Sequence, residues 1–192
     1  MPQSIAAIQA KLLPLIGKEY TLPVTANKGR PGLFLEELLG IPHTPNCLDC
    51  SDGELKMFPV KKQAKTGALV PKESIAVTML STDALRDCDF LSSKCCTKMS
   101  RMLLVPYFRT ADTIRFMNPQ IIDRTDTTFT ELYSLLEADY SAIRKLYLEA
   151  GILQSTTGVL LQNRTKGAGH GSTSRAFYLR PEFMKRYVPL SL

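Results

Sequence analysis

Apolar residues recur along the chain with two periods, and their alternation predicts a protein of mixed helix and strand. Ile5, Ile8, Leu12 and Leu13 share one face of a helix over residues 4–13. After a turn at Asn27-Lys28-Gly29-Arg30, Pro31 suits a first helical turn. Leu33, Phe34, Leu35, Leu38 and Leu39 then carry a second helix to a stop at Gly40. Residues 53–58 read as a strand ended by Pro59, and a basic loop follows from Lys61 to Pro71. Ser74 to Leu80 is a strong β-former, expected to pair with the strand before it. Asp83 to Met99 reads as helical in parts, with strands at Met102 to Tyr107 and Thr113 to Met117. Thr128-Phe129-Thr130-Glu131 has the form of a capping box, opening a helix that runs to about Ala150 and stops at Gly151. A short strand at Val159 to Gln162, a glycine-rich loop from Asn163 to Ser174, a strand at Phe177 to Leu179 and a helix from Pro181 complete the pattern. The fold class is α/β or α+β.

At 192 residues and 44% apolar, the chain can fill one core but not two independent ones. The longest apolar runs, such as Met102 to Val105, are too short for a bilayer, and Pro14 interrupts the apolar N-terminal stretch. With no signal or transit pattern visible, an intracellular, cytoplasmic protein is expected. The net charge of +6, from 24 Lys+Arg against 18 Asp+Glu, leans towards a polyanion partner. Cysteines at 47, 50, 88, 95 and 96 are odd in number and include an adjacent pair, which argues against a disulfide framework. Cys47 and Cys50 have the spacing of a zinc knuckle or redox pair. A tetrahedral zinc would need two more ligands from Cys88, Cys95, Cys96, His43 or His170, none of them in a matching knuckle.

The informative segment runs from Asn46 to Lys56. Side chains alternate across a strand, so Glu54 and Lys56 share one face while Leu55 and Met57 point into the core. Asp49, at the start of a hairpin, can fold back beside Glu54, and Asp52 serves the turn. Two carboxylates held together repel unless a cation sits between them. A magnesium ion meets that need, with Asp49 and Glu54 as ligands and the Leu55 carbonyl as a further one. Such an ion neutralises a scissile phosphate and acidifies a bound water, while Lys56 stabilises the developing charge. An ordinary exposed hairpin carrying charges gives the same short motif by chance.

Lys28-Gly29-x-x-Gly32-x-x-x-Glu36, followed by Asp49, Glu54 and Lys56, resembles the MutH-type endonucleases of the PD-(D/E)xK superfamily. These include a mismatch-repair strand-nicking enzyme and related type II restriction enzymes. The likeness continues through Lys98 in KMSRMLLVP, through Val159 to Lys166, and through Phe177-Tyr178-Leu179, in the same order. The sequence departs from that family in a shorter gap between Asp49 and Glu54, and in Leu48 where a proline often stands. The resemblance implies a restriction-endonuclease-like core with a mixed central sheet flanked by helices. It selects Glu36 over Glu37 as a helper that holds a water, and adds Lys98 to the catalytic set. It implies that Lys28, Gly29, Arg30 and Tyr178 contact DNA, Lys28 at the phosphate backbone, and that Arg164 and Lys166 reach base edges.

The expected protein is a single endonuclease domain over residues 1–192, with a catalytic lobe to about residue 126 and a DNA-recognition lobe over about 127–192. It is expected to cleave double-stranded DNA at a defined sequence with magnesium, as a monomeric type II restriction enzyme. The alternatives are a strand-nicking repair endonuclease, a non-catalytic DNA-binding module of the same fold, and a zinc or redox module built on Cys47 and Cys50.

Overall fold

The computed structural model describes residues 2–22, 30–42, 47–166 and 174–191. In chain order the elements are α1 (Ile5–Leu12), β1 (Glu19–Thr21), α2 (Arg30–Leu39), β2 (Glu54–Lys62), β3 (Leu69–Pro71), β4 (Ile75–Met79), α3 (Thr82–Asp87), α4 (Lys94–Met99), β5 (Arg101–Arg109), β6 (Thr113–Phe116), β7 (Gln120–Asp123), α5 (Thr130–Ala150), β8 (Leu161–Thr165), β9 (Arg175–Leu179) and α6 (Pro181–Tyr187). Helices and strands alternate as the hydrophobic pattern requires. Three strands of three or four residues, β1, β3 and β7, are too short to show in it, and β3 falls within the stretch expected to be a loop. Lys28, Gly29, His43 and His170 lie outside the described residues.

The larger sheet has six strands, ordered β1-β6-β5-β2-β3, with β7 also pairing with β5. β5 lies at its centre because Met102 to Tyr107 are buried without interruption, as a strand covered on both faces must be. Leu103, Val105 and Tyr107 join α1, α2 and Leu55 in one core cluster. Met102 and Leu104 join Phe58, Val60, α5 and α6 in the other. β2 runs parallel to β5, with Glu54 opposite Met102 and Lys56 opposite Leu104, and antiparallel to β3. The sheet is therefore mixed, with helical cover on both faces.

Three local expectations are corrected. Pro59 does not end β2, which continues to Lys62. The N–H and C=O of a strand residue point the same way, and the Pro59 carbonyl accepts the Lys72 N–H at 2.9 Å, just past the end of β3. The missing Pro59 donor thus faces the end of β3 and breaks no bond to β5. Second, β4 pairs with β9 in a separate three-stranded sheet, β4-β9-β8, and not with β2. That sheet takes one strand from before residue 126 and two from after it. Third, the capping box does not form. Asp126 accepts the Thr128 N–H at 2.9 Å to start a 3-10 turn, Thr127–Phe129, and α5 opens behind it without a side-chain cap. The other end of α5 is as expected, with Gly151 in the left-handed region at φ 68° and its N–H on the Tyr147 carbonyl.

Candidate active site

The site begins with a tight turn. The Cys50 N–H donates to the Gly53 carbonyl at 3.0 Å and closes a single antiparallel bridge ahead of β2, in place of a two-stranded hairpin. Only glycine fits at position 53, because a Cβ there would stand 2.6 Å from the Arg101 carbonyl oxygen. Asp52 does more than shape the turn. One oxygen accepts the Ile5 N–H at 2.7 Å at the start of α1, and the other accepts from Arg101 of β5 at 2.6 Å. The turn is thereby tied to a helix and to the central strand, which fixes where Asp49 emerges.

Asp49, Glu54, Lys56 and Lys98 converge there. The Asp49 N–H donates to Glu54 Oε2 at 3.2 Å. Lys56 Nζ lies 2.7 Å from Glu54 Oε1 and 3.9 Å from Asp49 Oδ2. Lys98, carried from α4, lies 2.5 Å from the same Glu54 Oε1. Glu54 is fully buried, and a buried carboxylate must be paired and hydrogen-bonded to stay charged. Burial also pushes the Asp49 carboxyl above its ordinary value of 3.8. Lys56 pulls the other way, Glu54 raises it further, and Lys98 and the Leu55 N–H lower it.

The donor set fits a hard divalent cation. Asp49 holds an acid in a position that disfavours its charge, which a cation would relieve. A carboxylate offers about four lone-pair sites, and the three donors on Glu54 leave one at Oε2. Among the described residues no group of three or more His, Cys, Asp or Glu is placed to hold a metal ion between them. Two carboxylates supplemented by backbone oxygen and water suit magnesium better than zinc. Cys50 is buried, and burial, with Asp49, Asp52 and Glu54 nearby, pushes its thiol up to about 11, a poor thiolate for zinc or redox chemistry.

A cleft of about 520 Å³ opens beside this cluster. Lys56, Leu55 and Met57 of β2 and Glu36 of α2 form one wall, and Arg164, Thr165 and Tyr178 of β8 and β9 form the other. Glu36 faces the cleft half-buried, whereas Glu37 is exposed and pairs with Arg30 at 3.6 Å. Arg30 thus engages its own helix and does not line the cleft. Arg164 is exposed, with its guanidinium 5.4 Å over the Tyr178 ring. Lys166 is exposed at the end of β8, its N–H bonded to the Ser174 carbonyl.

Two features were not read from the sequence. Glu73 and Tyr107 also line the cleft, and nothing in their local pattern marks them. Asp139 of α5 accepts the N–H groups of Val159, Leu160 and Leu161 at 2.7, 2.6 and 2.8 Å. It thereby anchors the residues that launch β8, so the strand begins at Leu161 and not at Val159. A signal existed here: Asp139 falls on the apolar stripe of Leu132, Tyr133, Leu136, Tyr140 and Ile143.

Among solved structures, the chain is similar to the restriction endonuclease MvaI in complex with its cognate DNA. The TM-score is 0.50, the identity 9%, and the match covers 97% of each chain. The likeness is one of fold, that of a restriction endonuclease. No curated protein matches. A family model described as the DNA mismatch repair enzyme MutH matches residues 45–144, slightly more than half of the chain. That stretch contains the turn at Cys50–Gly53, all of β2 and β5, and four side chains of the cluster, Asp49, Glu54, Lys56 and Lys98. Among the described residues no helix is long and apolar enough to cross a membrane. On the family match and the restriction-endonuclease fold together, this chain belongs to the MutH family.

Proposed function

We propose that the protein is a magnesium-dependent endonuclease that hydrolyses phosphodiester bonds of double-stranded DNA at a defined sequence, acting as a monomeric type II restriction enzyme. The observation that carries this reading is the buried Glu54, bridged by Lys56 and Lys98 and adjoined by Asp49, beside a cleft whose far wall presents Arg164 on Tyr178.

Asp49, Glu54 and the Leu55 carbonyl would hold the magnesium. When bound, the ion supplies charge neutralisation at the scissile phosphate and an acidified water. Lys56 belongs to both the cluster and the cleft wall, so its ammonium stabilises charge that develops on the phosphate oxygens. Lys98 pairs with Glu54 and orients it. Glu36, on the same wall, orients the attacking water. Contacts to the DNA backbone set affinity and register without reading sequence. Arg164 and Lys166 read base edges, an arginine pairing bidentately with guanine, and Tyr178 supports Arg164 from below.

The test is incubation with supercoiled plasmid and magnesium, with the ends mapped by sequencing. The expected product is linear DNA with unique ends. Glu54→Ala and Lys56→Ala should each abolish cleavage while duplex binding stays within about tenfold. Undiminished cutting by either variant sinks the proposed site. The match of residues 45–144 to a mismatch-repair family supports a second reading, strand nicking in repair. Open-circular DNA that persists without becoming linear would favour it.

A further inference from the structure

We infer that the duplex continues beyond the catalytic cleft into an adjoining groove, where Lys72, Arg109 and the Tyr107 hydroxyl contact flanking phosphates. The inference rests on the DNA endonuclease reading above. The groove, about 430 Å³, shares Pro59, Glu73 and Tyr107 with the cleft, so the two form one continuous trough. Lys72 and Arg109 line the groove and not the cleft. Neither makes an ion pair among the described residues, although elsewhere on the surface Arg86, Arg115, Lys145 and Arg186 each have a carboxylate partner. Tyr107 is 8% exposed, with its ring packed on the core and its hydroxyl without a hydrogen-bond partner among the described residues. A tyrosine this buried ordinarily finds a partner for its hydroxyl, and here the groove is where one can come from.

Arg109 shares a face of β5 with Tyr107, two residues before it, and Tyr107 stands opposite Pro59 of β2, so the groove's guanidinium and hydroxyl project from the same side of the sheet. Glu73, on the shared wall, disfavours a phosphate at the junction. Backbone contacts therefore fall on either side of it, at Lys56 in the cleft and at Lys72 and Arg109 in the groove.

The test measures binding of the full chain, without magnesium, to a mixed-sequence duplex of about thirty base pairs, long enough to span cleft and groove. Fluorescence anisotropy at several salt concentrations gives the slope of log affinity against log salt. Each phosphate neutralised contributes about 0.9 to that slope, so the double variant Lys72→Ala/Arg109→Ala should flatten it by about 1.8. Lys145→Ala/Lys185→Ala removes the same charge from exposed helical positions and should leave the slope unchanged. Tyr107→Phe should weaken binding about ten- to a hundredfold with no change of slope, as expected for one hydrogen bond from a neutral donor to a charged phosphate. An unaltered slope in the groove variant, or equal flattening in the control, overturns the inference. Plasmid cleavage by the wild-type chain separates the two readings. A chain that cuts DNA but keeps its slope in the groove variant loses the groove alone, and one that shows the flattening but never cuts loses the nuclease alone.

Discussion

The two walls of the cleft hold their charges in opposite ways. On the β2 wall, Glu54 is sealed from solvent and fixed by Lys56, Lys98 and the Asp49 N–H, so the proposed chemistry sits on groups with little freedom to move. On the β8–β9 wall, Arg164 is exposed and held over Tyr178 by a ring contact. Reacting groups need geometry fixed within a fraction of an ångström, whereas a base-reading side chain must adjust to the groove it meets. Burial supplies the first and exposure the second. The exposed wall is anchored at its root, since Asp139 clamps the residues ahead of β8.

The contrast can be broken at each wall, starting where the expected effect is largest. Glu54→Gln keeps the shape but strands two ammonium groups around a neutral amide. It should cost about 3–5 kcal/mol in urea unfolding, the penalty for uncompensated charge next to the core. A loss below about 1 kcal/mol would mean the lysines simply swing into water. Asp139→Asn removes the charge that three backbone N–H groups share and should cost about 2–3 kcal/mol, with hydrogen exchange rising at Val159, Leu160 and Leu161. Protection that stays unchanged there would deny Asp139 its anchoring role. Arg164→Ala should cost about 1–3 kcal/mol of discrimination at a single base pair while leaving stability intact. A uniform loss across all sequences would instead make Arg164 a phosphate contact.

The smallest effect concerns Asp49, and its sign is informative. Its carboxyl is raised in the fold, so its contribution is fully present below the ordinary value of 3.8 and is lost as pH rises through the raised one. Without metal, Asp49→Asn should therefore match the wild type in acid and melt at a higher temperature than it near neutral pH. The same substitution should abolish cleavage. A variant that melts lower near neutrality would show that the cluster favours charge on Asp49 even without a cation.

Much of this was legible along the chain. The spacing of Asp49, Glu54 and Lys56 within one turn and strand is a local matter, because alternation across a strand puts Glu54 and Lys56 on the same face wherever that strand goes. The stop at Gly151 and the helix over Arg30–Leu39 were equally local. The strand pairing that failed was non-local. β4 has the composition of a strand that could pair with any neighbour, and β9 was chosen by a contact about a hundred residues away, which no periodicity records. Asp126 displaced the expected cap because it sits two residues closer to the incoming chain, where its carboxylate reaches the Thr128 N–H first.

By itself the sequence determined which residues could do chemistry and how those within one turn or strand stand to each other, since backbone geometry fixes neighbours up to a few positions apart. Only the tertiary structure brought Lys98 onto Glu54 across 44 positions, tied Asp52 to Arg101, and set Arg164 opposite Lys56 across the cleft. Those meetings follow from the pairing of β2 with β5 and of β8 with β9, that is, from cores filled on both faces of a sheet. Burial is a property of the whole packed molecule, and no local reading of the chain contains it.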